Sequence, residues 1–197
     1  MLKIAILGWG SLLWDVRPEF DRWHGPWQGG GPAVKLEFSR ISRSRSGVLT
    51  LVIDPCNGAG CSVAFALSTR THAEKARDDL RQREGTSWSN IGYVSFADGH
   101  KHYRDGESGA AITAWGAANC LDAVVWTDLP GNFEDTIRPF SVATVIAYLQ
   151  RLDPAGRQQA IEYIHRAPGF VQTPLRTALA AEPWFVAAAS QTRQSLA

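Results

Sequence analysis

The sequence predicts an α+β protein: a mixed sheet, curled or closed into a small β-barrel, with peripheral helices and a C-terminal helical extension. Three observations lead there. Short β-branched apolar runs fill the first two thirds of the chain, one amphipathic helix interrupts them near residues 71–84, and helical patterns take over beyond Pro130. Strands and helices do not alternate regularly, so a doubly wound parallel sheet is not indicated. The 197 residues suffice for one domain with a sizeable core. No repeat, low-complexity tract or linker divides them. The expected organisation is a single domain over residues 1–197, with its core at about 2–130 and the helical extension at about 131–190.

The elements follow in order. Residues 2–7 form a first strand, which breaks at Gly8-Trp9-Gly10 and returns to apolar residues at Leu12-Leu13-Trp14. Residues 17–32, rich in Gly, Pro and Trp, read as a loop. In residues 34–42 Val34, Leu36 and Phe38 alternate against Lys35, Glu37 and Ser39, the pattern of a half-buried strand. Residues 43–47 are a polar turn, and Val48–Ile53 is a β-branched strand stopped by Asp54-Pro55. Residues 61–67 are another strand. Thr71 and Glu74 have capping-box spacing ahead of a helix whose stripe is Ala73, Ala76, Leu80 and Glu84. Residues 91–96 return to strand, 97–100 turn, 108–120 form an alanine-rich helix, and 123–127 a buried strand. A helix follows at about 142–152. Two more begin with Asp153-Pro154 and Thr173-Pro174 as N-cap and first position. The tail after Ser190 is expected to fray.

Composition excludes several classes. The formal net charge is +1, without the basic patch that nucleic-acid binding requires. No apolar run approaches the length of a membrane span, and no signal-peptide pattern opens the chain. Cys56, Cys61 and Cys120 have no metal-finger spacing. Free thiols, no metal and a cytoplasmic location are expected, although a Cys56–Cys61 bridge across the intervening turn is conceivable.

The glycine turn is the first candidate site. Backbone N–H groups in such a turn receive a carboxylate or phosphate. A dinucleotide fingerprint would need a third glycine at position 13, which is Leu13, and no Gly-Lys-Ser/Thr follows for a P-loop. A nucleotide site would also require a helix beginning at Ser11. Glu84 is the second candidate. It ends the helix stripe just before Gly85, and a carboxylate there is suited to general acid/base work. An ion pair with Arg81 or Arg83, or fraying of the helix end, is the plainer alternative. Arg40, Arg43 and Arg45 offer guanidinium groups for a carboxylate, and a solvated hairpin turn is the better account of the last two. His100-x-His102 lacks a third ligand, Ser11 lacks a hydrolase elbow, and Tyr93, Tyr103 and Tyr163 are undistinguished.

Taken together, Gly8-Trp9-Gly10-Ser11-Leu12-Leu13-Trp14 resembles the N-terminal signature of the gamma-glutamylcyclotransferase-like superfamily, with Trp9 where the signature has tyrosine. Arg83-Glu84-Gly85 resembles the segment that holds its catalytic glutamate. The resemblance covers about residues 2–130. It implies a small mixed β-barrel and an enzyme that releases 5-oxoproline from a small-molecule gamma-glutamyl amine or peptide without cofactor or metal. It also implies Glu84 as general acid/base, with Trp9, Gly10, Ser11 and Leu12 binding the substrate. A non-catalytic module of the same fold that holds a small carboxylate is the alternative. The C-terminal helices would cover the pocket or join two copies, giving a monomer or a homodimer.

Overall fold

The computed structural model describes residues 2–42 and 47–195, with side chains described up to residue 189. Its strands are β1 (Ile4–Gly8), β2 (Ala33–Ser42), β3 (Val48–Ile53), β4 (Ala59–Ser62), β5 (Ala64–Leu67), β6 (Ile91–Ser95), β7 (Lys101–His102) and β8 (Ala123–Thr127). Its helices are α1 (Pro18–Asp21), α2 (Ala73–Glu84), α3 (Gly106–Ala118), α4 (Phe133–Thr136), α5 (Val142–Arg151), α6 (Pro154–Arg166), α7 (Pro174–Leu179) and α8 (Pro183–Ser195). The α+β class and the mixed sheet follow the sequence. One sheet has the order β5-β1-β8-β6-β7 and the other β3-β2-β4. Among the described residues these sheets do not close into a barrel, because no described strand joins edge β5 to edge β7.

The chain divides into two compact units, Met1–Val34 with Cys61–Pro130, and Lys35–Gly60 with Gly131–Ala197. In the first unit, β1 is buried along its whole length. It pairs antiparallel with β5 and parallel with β8, so both its edges are occupied. A strand covered on both faces needs an unbroken apolar run, which Ile4-Ala5-Ile6-Leu7 supplies. Ile4, Ile6, Ile91, Tyr93, Ala123 and Val125 form a core with Ala76 and Leu80 of α2. That packing turns the apolar stripe of α2 toward the sheet.

Several expectations are corrected. Residues 61–67 are two strands in different sheets. The Val63 peptide separates them, donating to Pro32 O at 3.1 Å and accepting from Gly31 at 3.0 Å. The 17–32 loop contains α1, begun by Pro18 in its first turn. The Thr71–Glu74 capping box is absent: His72 is the N-cap of α2 and makes no side-chain cap bond. Helix α3 starts at Gly106, two residues early, because the Asp105 carboxylate accepts the Ser108 N–H at 2.7 Å. Asp153 and Thr173 cap α6 and α7 as expected. Helix α8 carries its backbone through to Ser195, where fraying was expected.

In the second unit α6 packs on β3. The alternation in β2 suggests a polar face, yet Glu37 is 0% exposed and Ser39 is 3% exposed. The first turn of α7 accounts for Glu37: its Oε2 accepts the Leu175 N–H at 3.1 Å, while Oε1 accepts the Phe38 N–H at 2.7 Å. Burial pushes the Glu37 carboxyl above its ordinary value. The bonds from Phe38, Thr173 and Leu175 oppose that shift, and the Asp54 carboxylate adds to it.

Glu37→Ala strands both N–H groups and should lower the unfolding free energy by about 1–3 kcal/mol in urea titrations. Because the folded pKa is raised, this group's stabilising contribution is full below the unfolded value and is lost as pH rises through the folded one. The stability of the natural protein should therefore fall relative to Glu37→Gln as the pH is raised from acid toward neutral.

Candidate functional site

β1 ends where the chain must leave the sheet. At Gly8 a Cβ would come within 2.8 Å of the Trp27 ring and 3.0 Å of Leu13, so only glycine fits without displacement. Trp9 is buried, at 5% exposed. One 3-10 turn follows, Ser11–Leu13, closed by Leu13 N–H to Gly10 O at 3.0 Å and Trp14 N–H to Ser11 O at 3.2 Å. The first internal bond is donated by Leu13, so the N–H groups of Gly10, Ser11 and Leu12 stand outside the ladder of the turn. No α-helix begins at Ser11, so the phosphate-binding helix end that a nucleotide site needs is not formed here.

Helix α2 brings the second candidate. It ends at Glu84 because Gly85 takes the left-handed conformation, with φ +57° and ψ +41°. The Glu84 side chain is 18% exposed, and its Oε1 lies 3.8 Å from Nη1 of Arg83. A carboxylate at a helix C-terminus faces the negative end of the helix dipole, and the neighbouring guanidinium offsets that cost.

Arg83 is what joins the two candidates. Its side chain is only 5% exposed. Its Nη2 donates to Asp15 O at 3.1 Å, to Asp15 Oδ2 at 3.3 Å and, more weakly, to Ser11 O at 3.5 Å. A buried guanidinium needs such acceptors. The outcome is that the end of α2, with Glu84, is fastened to the glycine turn. Adjacent sequence signals the ion pair between Arg83 and Glu84, whereas nothing local signals the bonds to Ser11 and Asp15.

The remaining candidates are placed elsewhere. Arg40 lies in β2 opposite Thr50, and Arg43 and Arg45 lie outside the described residues. The His102 ring is 3.3 Å from Ser89 O, and His100 packs its ring edge-on against Tyr93. Among the described residues no three potential metal ligands cluster. All three cysteines are free thiols. Tyr93 is buried beneath the Arg77 guanidinium, and burial raises its pKa. Tyr103 stacks on Trp126, and Tyr163 packs against Phe38.

Asp128, immediately after β8, escaped the sequence reading. It is 3% exposed and accepts the Arg104 N–H at 2.8 Å. Burial raises its pKa, opposed by that bond and by the Arg104 charge. Its carboxylate holds the chain between β7 and α3 against the end of β8. A cavity of about 380 Å³ opens in the second unit among α6, α7 and α8, lined by Ile164, Phe185 and Val186. It contains neither the turn nor Glu84. The Arg176 guanidinium on its wall is already committed to the carbonyls of Ala167, Pro168 and Val171.

Among the described residues no helix is long and apolar enough to cross a membrane. No family model matches the chain, and no curated protein matches it.

Removing the clamp should free the turn. In Arg83→Ala, hydrogen exchange at the Trp14 and Asp15 amides is expected to rise about tenfold or more, the equivalent of about 1.4 kcal/mol, while amides of β3 keep their rates.

Proposed function

We propose that this protein is a gamma-glutamylcyclotransferase-like enzyme that releases 5-oxoproline from a gamma-glutamyl amine or peptide. What carries this reading is Arg83, whose bonds to Ser11 and Asp15 bring the glycine turn and the Glu84 helix end together. The two sheets and their helices are then a variant of the gamma-glutamylcyclotransferase-like fold, and the reaction takes place in the cytoplasm on a small molecule.

In this scheme the N–H groups of Gly10, Ser11 and Leu12 hold the substrate carboxylate. The free α-amine attacks the γ-carbonyl carbon of the same glutamyl unit, and the new C–N bond closes a five-membered ring. Glu84 accepts the proton that the amine loses. It returns a proton to the departing amine as the original amide bond breaks, so the carboxylate is regenerated. Ring closure within one molecule takes much of its rate from proximity, which asks of the protein only that it fold the substrate into attack geometry. An ammonium has no lone pair to attack with, hence the need for a base.

One observation favours a second reading, a carboxylate-binding module without chemistry. Glu84 has a structural partner in Arg83 at 3.8 Å, so its presence does not by itself demand catalysis.

The two part in a single assay. 5-Oxoproline release is measured across a panel of gamma-glutamyl amines and dipeptides. The enzyme should release it from at least one, and Glu84→Gln, with its fold intact, should lose about 10²-fold or more in kcat. Carboxylate binding without release from any substrate would establish the module, and equal release by both proteins would mean that another group is the base.

A further inference from the structure

Among the buried polar atoms without a hydrogen-bond partner are Thr127 Oγ1 and Arg83 Nε. A buried donor left unmade is costly, more so when charged, and native folds retain few. These two lie on elements that meet at the glycine turn. In β8, Ala123 and Val125 belong to the core that Ala76 and Leu80 of α2 complete, and Leu12 of the turn packs against that same core. Side chains alternate along a strand, so Thr127 shares the face of Val125, directed toward α2. The parallel register pairs Ile6 with Val125 and runs on toward Gly8 and Thr127, while Thr127 itself pairs with Ile91 at the start of β6. Arg83 lies one turn beyond Leu80, and its Nη2 reaches Ser11 and Asp15. Thr127, Arg83 and the turn therefore occupy one corner, on one face at one end of one sheet.

We infer that Thr127 Oγ1 and Arg83 Nε are held for a ligand and together donate to an anionic carboxylate oxygen bound beside the Gly8–Leu13 turn. This rests on the reading of that turn as a carboxylate site. The chemistry is selective. Arg83 Nε only donates and carries positive charge, so it demands an acceptor and favours an anion. A hydroxyl serves as the second donor. The pair would make Thr127 and Arg83 specificity-determining residues, which select substrates with a free carboxylate over neutral amides or esters. Ser11, Leu12 and Leu13 of this corner are half-buried.

The test is calorimetric binding of 5-oxoproline and of its neutral carboxamide to the natural protein, Thr127→Val and Thr127→Ser, with Tm measured alongside. Thr127→Val should weaken 5-oxoproline binding about tenfold or more and leave the carboxamide affinity unchanged. Its Tm should hold or rise, since the variant deletes a hydroxyl that has no partner in the folded protein. Thr127→Ser should recover the loss. Equal 5-oxoproline affinity in Thr127→Val and the natural protein would overturn this inference and leave the turn as a carboxylate site. A lowered Tm with equal losses for both ligands would also overturn it, marking the hydroxyl as structural. Binding of neither ligand by the natural protein would overturn the reading of the turn itself, and this inference with it.

Discussion

A strand with both edges paired and both faces buried can leave its sheet only through a turn that packs as tightly as the strand does. β1 meets that condition at Gly8, where Trp27 and Leu13 close on the position a Cβ would take. The consequences spread outward. The parallel partner β8 ends on the same side of the sheet as β1, so whatever follows Val125 stands beside whatever follows Ile6. α2 is held by the face that Ile6 and Val125 share, and its last turn is delivered to the same end. The position of the candidate site is thus a property of the central pairing, before any polar group is considered.

The polar groups then meet the constraints of burial. The Arg83 guanidinium is nearly enclosed: its Nη2 donates to the carbonyls of Ser11 and Asp15 and to the Asp15 carboxylate, its Nη1 faces Glu84, and its Nε has no partner. One cation therefore does two things: it stabilises the turn and it compensates a carboxylate at the wrong end of a helix dipole. In the second unit the roles are reversed. There the buried charge-bearing group is the carboxyl of Glu37, which is satisfied by N–H groups of β2 and α7. In each unit a buried ionisable side chain ties together segments far apart in sequence, and the partners those segments supply offset the cost of burying it.

What was legible in the sequence is what local periodicity determines. Val48–Ile53 and Ala123–Thr127 read as strands because each is a continuous apolar run with no competing helical pattern. The starts of α6 and α7 were visible as Asp153-Pro154 and Thr173-Pro174, and the end of α2 as Gly85. Distant partners stayed hidden. Alternation placed Glu37 on a polar face because the helix that buries it lies 138 residues away. Residues 61–67 looked like one strand because Gly31 and Pro32, which bind the Val63 peptide, leave no mark on the segment itself. At the site, the turn and Glu84 were named from sequence. Arg83 was read only as a neighbour of Glu84, since its bonds to Ser11 and Asp15 span 72 and 68 residues. Thr127 closes an apolar strand and gives no sequence signal at all.

The most direct measurement is a crystal structure of the protein with 5-oxoproline bound. The carboxylate of the ligand should lie within hydrogen-bond distance of the Gly10, Ser11 and Leu12 N–H groups, and the Glu84 carboxylate within reach of the ring nitrogen. A ligand lodged elsewhere, with the Ser11–Leu13 turn bare and Glu84 facing only Arg83, would contradict the proposed function.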